Sequence, residues 1–336
     1  MNPIVALLCV ALALGMMQTS QAQDGIPAMG NRDLSFVAST LEARFYSDFW
    51  LNLHDYLYGR AREPDVVQVP GGSVECIAAL PETQQNAWRA AEAFYEAEMP
   101  ERHHRRDPLI RAIRHRFAET ATEHEPLADS TLEILTAAAP AYRACLWGIH
   151  DARNRERIAE LVRMVVAHGP ALRYRLERAY RADWPAGIVV DIAPYAAFAN
   201  TSGGLGQEPH TMLSNTHPDL VGWSGLEILF HEGSHSMFNA RHGEVARSLR
   251  AASMETGVER PSQLWHALSF HTSGRIVQEM AAAEGDEYTP YYIRRNIFSE
   301  FVEVFDAHWN SYLEGEMAMD EAALAVMRAL GAEAEE

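Results

Sequence analysis

Two histidines one helical turn apart, with a glutamate beside the first, carry the strongest chemical signal in the chain: His231-Glu232-Gly233-Ser234-His235. On a helix, residues four apart lie one above the other, so His231 and His235 would present two imidazoles to one divalent ion. Glu232 would point to the side where a bound water sits. A catalytic zinc takes three protein donors and keeps one position open. Water held in that position loses its proton near neutral pH, a carboxylate accepts the proton, and the hydroxide attacks a carbonyl. The chemistry implied is metal-assisted hydrolysis, most often of a peptide bond. With 15 histidines in the chain, the surroundings must separate this reading from a chance pair.

A third donor has to come from elsewhere. His266 stands in "LWHALSFHTSGRIV" among Leu264, Trp265, Leu268 and Phe270, which predicts burial nearly all round. A buried imidazole needs a partner, and a metal ion is one. Glu255 competes with it, followed by Glu244, Glu259 and Glu279; Gly257 marks a helix end next to Glu255. His271 follows His266 by five positions, a rotation that turns it about 140° away on a helix, so it is not expected at the same ion. Hydrolysis also needs a donor aimed at the developing oxyanion. Tyr288, Tyr291 and His271 are the candidates. His150-Asp151 reads as ordinary ion pairing, because adjacent residues on a helix do not face each other, and His210 as a surface strand residue.

The elements that must position these residues follow from spacing. Leu226, Ile228, Leu229 and Phe230 before the motif, and Met237 and Phe238 after it, predict a helix buried on most sides. Ser224 and Glu227 have the spacing of a capping box at its start. Further helices are expected over 242–256, 261–284, from Thr289-Pro290 to about Gly315, and from Asp320 to about Leu330. From Leu34 to about Arg181 the apolar spacing of three and four predicts helix nearly throughout. "AGIVVDIAPYAAFANTSGG" and "PHTMLSN" break that texture and read as short extended segments joined by a glycine-rich loop. The expected class is mainly α (α+β): a helical region over 23–185, then a region over 186–336 with a small sheet ahead of the motif helix, the two forming one interlocked unit.

Composition narrows the function further. The net charge is −18 and every basic residue is arginine, which excludes a phosphate-loop lysine or a Schiff-base lysine and argues against nucleic-acid partners. The basic run "RHHRRDPLIRAIRHRF" has helical spacing and reads as a solvated, ion-paired face. Residues 1–22 are apolar and end in Ser20-Gln21-Ala22, as in an export signal. No other segment reaches membrane-spanning length, so a secreted or periplasmic protein free of the membrane after signal removal is expected. Cys76 and Cys145 then remain, able to pair in an oxidising compartment or to stay as two buried thiols.

With these residues in place, the chain resembles the zincin metallopeptidases that carry H-E-x-x-H. The longer metzincin pattern is not met, because Phe238 and Arg241 stand where it requires glycine and histidine, which leaves a gluzincin-like form. Glu255 stands at the interval after His235 that thermolysin-like gluzincins use, without their flanking pattern. "VDIAPYAAF", "HEGSH", "LWHALSFHTSG" and "YTPYYIRRN" are together similar to a poorly characterised family of secreted bacterial HExxH proteins, over roughly 185–315. In that likeness a tyrosine is expected at position 271 and an acidic residue at 275, where this chain has His271 and Arg275. The resemblance implies one zinc ion and a peptide or protein substrate. The contrasting expectation is a non-catalytic periplasmic binding or scaffold protein on the same kind of fold, motivated by His271 and Arg275.

Overall fold

Phe36–Ser39 (β1) and Ala43–Tyr46 (β2) open the fold as an antiparallel pair, where the apolar spacing predicts helix. Ala43 and Phe45 are buried while Arg44 and Tyr46 alternate with them, a period of two that four residues satisfy as readily as a helical period. The structure, a computed structural model, describes residues 25–29, 32–103, 107–118, 129–196, 199–202, 209–238 and 243–333. The expected export signal and residues 203–206 of the glycine-rich loop lie outside the described residues.

The remaining strands are Ile188–Ala193 (β3), Ala199–Ser202 (β4) and His210–Ser214 (β5). The sheet has five strands in the order β1-β2-β3-β5-β4. β2, β3 and β5 run parallel, and the two edge strands are antiparallel to their neighbours. β3 is buried along its whole length, as a central parallel strand covered on both faces must be. The chain is mostly helical with this small sheet, an α+β architecture.

Between β2 and the long helix lies a lobe with its own core: Phe49–Arg62 (α1), Ser73–Ala78 (α2), Glu82–Glu98 (α3), Pro108–Ala118 (α4) and Asp129–Tyr142 (α5). The disulfide Cys76–Cys145 ties α2 to the π-helical turn Arg143–Trp147 that leads out of the lobe. Arg114, from the basic run read as a solvated face, is buried and paired to Asp55 at 3.0 Å. Gly148–Tyr180 (α6) then carries the chain back to the sheet. The lobe is thus an excursion from the sheet-based core, and the two regions expected on either side of residue 185 share one sheet.

Gly222–Phe238 (α7), Glu244–Thr256 (α8) and Leu264–Glu284 (α9) follow. The helix expected from Thr289 is broken into Tyr291–Arg294 (α10), a 3-10 turn at Ser299–Phe301, Val302–His308 (α11) and Asn310–Leu313 (α12). Asn296 and Phe298, both at positive φ, cause one of those breaks. Met319–Glu333 (α13) packs on α8. Ala43, Phe45, Ile188, Val190, Ile192 and Leu213 share one core with α6, α7 and α9.

The alternate residues of β3 and β5 hold a buried polar cluster. Arg32 donates two hydrogen bonds to Asp191, at 3.0 and 2.8 Å, and His210 Nε2 lies 2.6 Å from the same carboxylate. Burial would raise the Asp191 carboxyl, but Arg32 and His210 outweigh it and hold it at about 2. His210 is therefore an interior residue, contrary to the surface position expected. His150 is buried and bonded to Tyr142, while Asp151 accepts from Arg155, so neither acts on the other. Among the described residues no helix is long and apolar enough to cross a membrane.

Candidate metal centre

Helix α7 is pressed so closely onto the sheet that one motif position must be glycine. A Cβ on Gly233 would stand 2.7 Å from Trp184 Cη2 and 3.0 Å from Ile188 Cδ1. That contact fixes the helix in height and rotation, and its two histidines with it. His231 is fully buried, Glu232 nearly so, and His235 keeps 16% of its side chain exposed. His231 Nε2 and His235 Nε2 approach to 3.1 Å.

His266 arrives from the first turn of α9 and completes the group. The three imidazoles place one nitrogen each within 4.8 Å of one another. Two nitrogens bound tetrahedrally to zinc at about 2.05 Å would be separated by roughly 3.3 Å, close to the observed approach. Three neutral nitrogen donors from two rigid helices, with a carboxylate alongside, form a donor set that fits zinc and leaves a fourth position for water. Glu232 Oε2 lies 3.9 Å from His235 Nδ1.

The surroundings hold the rings in place. Ser269 Oγ, one turn after His266, lies 3.4 Å from His231 Nδ1 and orients the ring from its far side. Phe270 stacks on His231 with ring centres 3.6 Å apart. Trp265 lies nearly parallel to His266 at 5.0 Å, and Phe298 meets its edge at 5.4 Å. Low-polarity rings on these sides favour a metal–imidazole contact over hydration of the donors.

The capping box expected at Ser224 and Glu227 is not formed, because both residues lie inside α7 and their side chains face other elements. Glu227, one turn before His231, is fully buried. Its carboxylate accepts from the Tyr288 hydroxyl and, at 3.1 Å, from the Tyr291 backbone N–H. Gly274 on α9 leaves room for this: a Cβ there would meet Pro290 at 2.7 Å and Glu227 Oε1 at 3.1 Å. Ser224 Oγ accepts instead from Arg294 at 2.8 Å. Burial raises the Glu227 carboxyl to about 7, against the bonds from Tyr288 and Tyr291 and the charge of Arg294.

The other candidates fall away from the histidines to different degrees. Tyr288 is turned to Glu227, and burial followed by that carboxylate's charge raises its phenol well above the usual range. Tyr291 lies nearer, its ring 6.3 Å from Phe270, and burial raises its phenol. His271 points away as its rotation predicts, bound to Tyr292 and Asn310 at 2.7 Å each, and burial lowers its imidazole. Glu255 is exposed and faces Arg328 at 3.6 Å. Glu244 pairs with Arg247, Glu279 with Arg175 and Arg275, and Glu259 is exposed.

In the sequence Glu227 stands out only as a capping residue, and Ser269 and Phe298 do not stand out at all. The first two carry a signal in hindsight, since they lie four residues before His231 and three after His266, on the same helical faces. Phe298 carries none, because its position depends on a turn with two residues in left-handed backbone. Compared with known proteins, the chain matches no family model, no curated protein and no solved structure.

Proposed function

We propose that the chain is an exported, single-zinc hydrolase acting on peptide bonds, with a zincin-like arrangement of its site. The observation that carries the reading is the convergence of His231, His235 and His266 from two helices. When bound there, zinc would supply a Lewis acid and an acidified water. Glu232, nearly buried beside His235, is the group that accepts the proton from that water. Ser269 and Phe270 keep His231 in one orientation, and the aromatic rings exclude bulk water. The disulfide supports an oxidising compartment and hence export.

The test is elemental analysis of the purified chain together with hydrolysis of a quenched peptide library. One zinc per chain is expected, lost in His266→Ala. Glu232→Gln is expected to keep zinc and lose activity by about a hundredfold or more. A wild type and a Glu232→Gln variant that act equally would refute the catalytic role. A second reading is a zinc-holding binding or scaffold protein without turnover. It is favoured by the engagement of Tyr288 with Glu227 and of His271 with Tyr292 and Asn310, which occupies two of three candidate oxyanion donors. That reading predicts bound zinc and no cleavage anywhere in the library.

A further inference from the structure

Ten residues along α9 from His266, about 15 Å by helical rise, Ile276 forms part of the floor of a separate cavity of about 460 Å³. The last two turns of α6 and the segment 312–317 complete it. Ile276, Leu313 and Met317 supply apolar surface, and Arg175, Arg178 and Arg181 supply three guanidinium groups. Arg175 is neutralised by Glu279. Arg178 lies over the Tyr174 ring at 5.8 Å and Arg181 is hydrogen-bonded to Tyr312, but neither forms an ion pair with a carboxylate among the described residues, in a chain whose net charge is −18.

Cations near the end of a helix complement its dipole, which accounts for arginines at this place. It does not account for the conformation of Arg181. That residue caps α6 in left-handed backbone, φ 50° and ψ 45°, where glycine is the usual occupant. A side chain held there costs about 1 kcal/mol relative to glycine. Strain of this kind is held in place by surrounding contacts and clusters at ligand clamps and active sites. The helix end is closed by the Arg181 backbone N–H, which donates to Glu177 O and would remain in a glycine, and by the Tyr312 hydroxyl, which donates to Ala179 O at 2.8 Å and Arg178 O at 3.2 Å.

We propose that this cavity binds an organic anion with an apolar body: a carboxylate held by Arg178 and Arg181, and a hydrocarbon portion laid against Ile276, Leu313 and Met317. Planar guanidinium groups bind carboxylates through paired hydrogen bonds, and the cavity volume falls in the range of small-molecule sites. A saturated chain of about ten carbons is of suitable size. The site is independent of the metal centre.

The experiment is calorimetric titration of the full chain with decanoate, with 1-decanol and inorganic phosphate as comparison probes. Decanoate is expected to bind at least about tenfold more tightly than either comparison probe. The Arg178→Ala/Arg181→Ala double variant should lose about tenfold in affinity or more, and Arg181→Lys should retain part of it. The sharpest arm is Arg181→Gly, which should weaken decanoate binding while the melting temperature stays level or rises. No binding of decanoate up to about 1 mM would overturn the proposal. So would equal binding of decanol, equal binding of inorganic phosphate (a bare anion site), or affinity unchanged in the double variant. A melting temperature that falls in Arg181→Gly would assign the residue to stability and likewise overturn it.

Discussion

Replacing Glu227 by glutamine should flatten part of the pH dependence of folding stability. In the folded chain the carboxyl is raised from 4.5 to about 7, so between those values the folded state holds a proton that the unfolded chain releases. Stability therefore falls as pH rises through this window. The shift of about 2.5 units corresponds to roughly 3 kcal/mol, fully favourable below pH 4.5 and lost above pH 7. The groups facing the carboxyl are Tyr288, the Tyr291 backbone and the Arg294 charge. Tyr288 is raised far above this range, so the carboxyl itself supplies the titration. Glutamine keeps the volume and one acceptor oxygen but cannot ionise. Urea unfolding of chelator-treated wild type and Glu227→Gln at half-unit steps from pH 4.5 to 8 isolates the effect, because all other titrating groups are common to both proteins. The stability difference between them should change by about 3 kcal/mol across the range, with wild type losing ground as pH rises. Parallel curves would show that Glu227 is ionised throughout, and the account of its burial would be wrong.

Two further perturbations act on the same scaffold. Reducing the Cys76–Cys145 bridge, or replacing both cysteines by serine, frees a loop of 69 residues' separation and should lower unfolding free energy by about 4 kcal/mol in the chain-entropy model, read by denaturant titration. Gly233→Ala places a methyl 2.7 Å from Trp184 and should cost about 1–3 kcal/mol by overpacking. Because the same shift would move His231 and His235 off their common centre, zinc affinity should fall in parallel; a variant that loses stability but binds zinc as before would show that α7 can slide without disturbing the site.

The parts of this molecule that could be read from sequence are those whose information is local. The motif helix and the helices expected over 242–256 and 261–284 follow from a repeat of 3.6 residues. The choice of His266 over Glu255, Glu244, Glu259 and Glu279 as third member of the cluster is left open by the sequence, and His266 is only partly buried where its neighbours predict burial nearly all round. The strands Phe36–Ser39 and Ala43–Tyr46 escaped because four residues cannot distinguish two periods, and β3, the strand that joins Ala43–Tyr46 to the rest of the sheet, lies more than 140 residues away. The capping box at Ser224 failed for a related reason. Its residue types were right, but Glu227 makes a stronger set of bonds with Tyr288 and Tyr291, some sixty positions onward, and tertiary contact overrode the local pattern. His210 looked like a surface strand residue because nothing near it in sequence shows that Arg32 and Asp191 fold around it.

These long-range contacts determine how much freedom the histidine cluster has. Helix α7 is held from beneath by Trp184 and Ile188 against Gly233, and from one side by Glu227 bound to the 288–291 segment across Gly274. Helix α9 is held to it by that same clamp and by the Ser269–His231 contact. His266 is fixed relative to the motif by these connections, although among the described residues no backbone hydrogen bond joins α7 to α9. Disturbing the clamp should therefore alter zinc binding before it alters secondary structure. In Tyr288→Phe, which removes the donor to Glu227 and leaves a buried carboxylate short of one bond, a stability loss of about 1–3 kcal/mol is expected. Zinc affinity should drop with it while helical circular dichroism is preserved. An unchanged zinc affinity in that variant would mean that the three histidines are held by the aromatic packing of Trp265, Phe270 and Phe298 alone, and that Glu227 serves the fold but not the site.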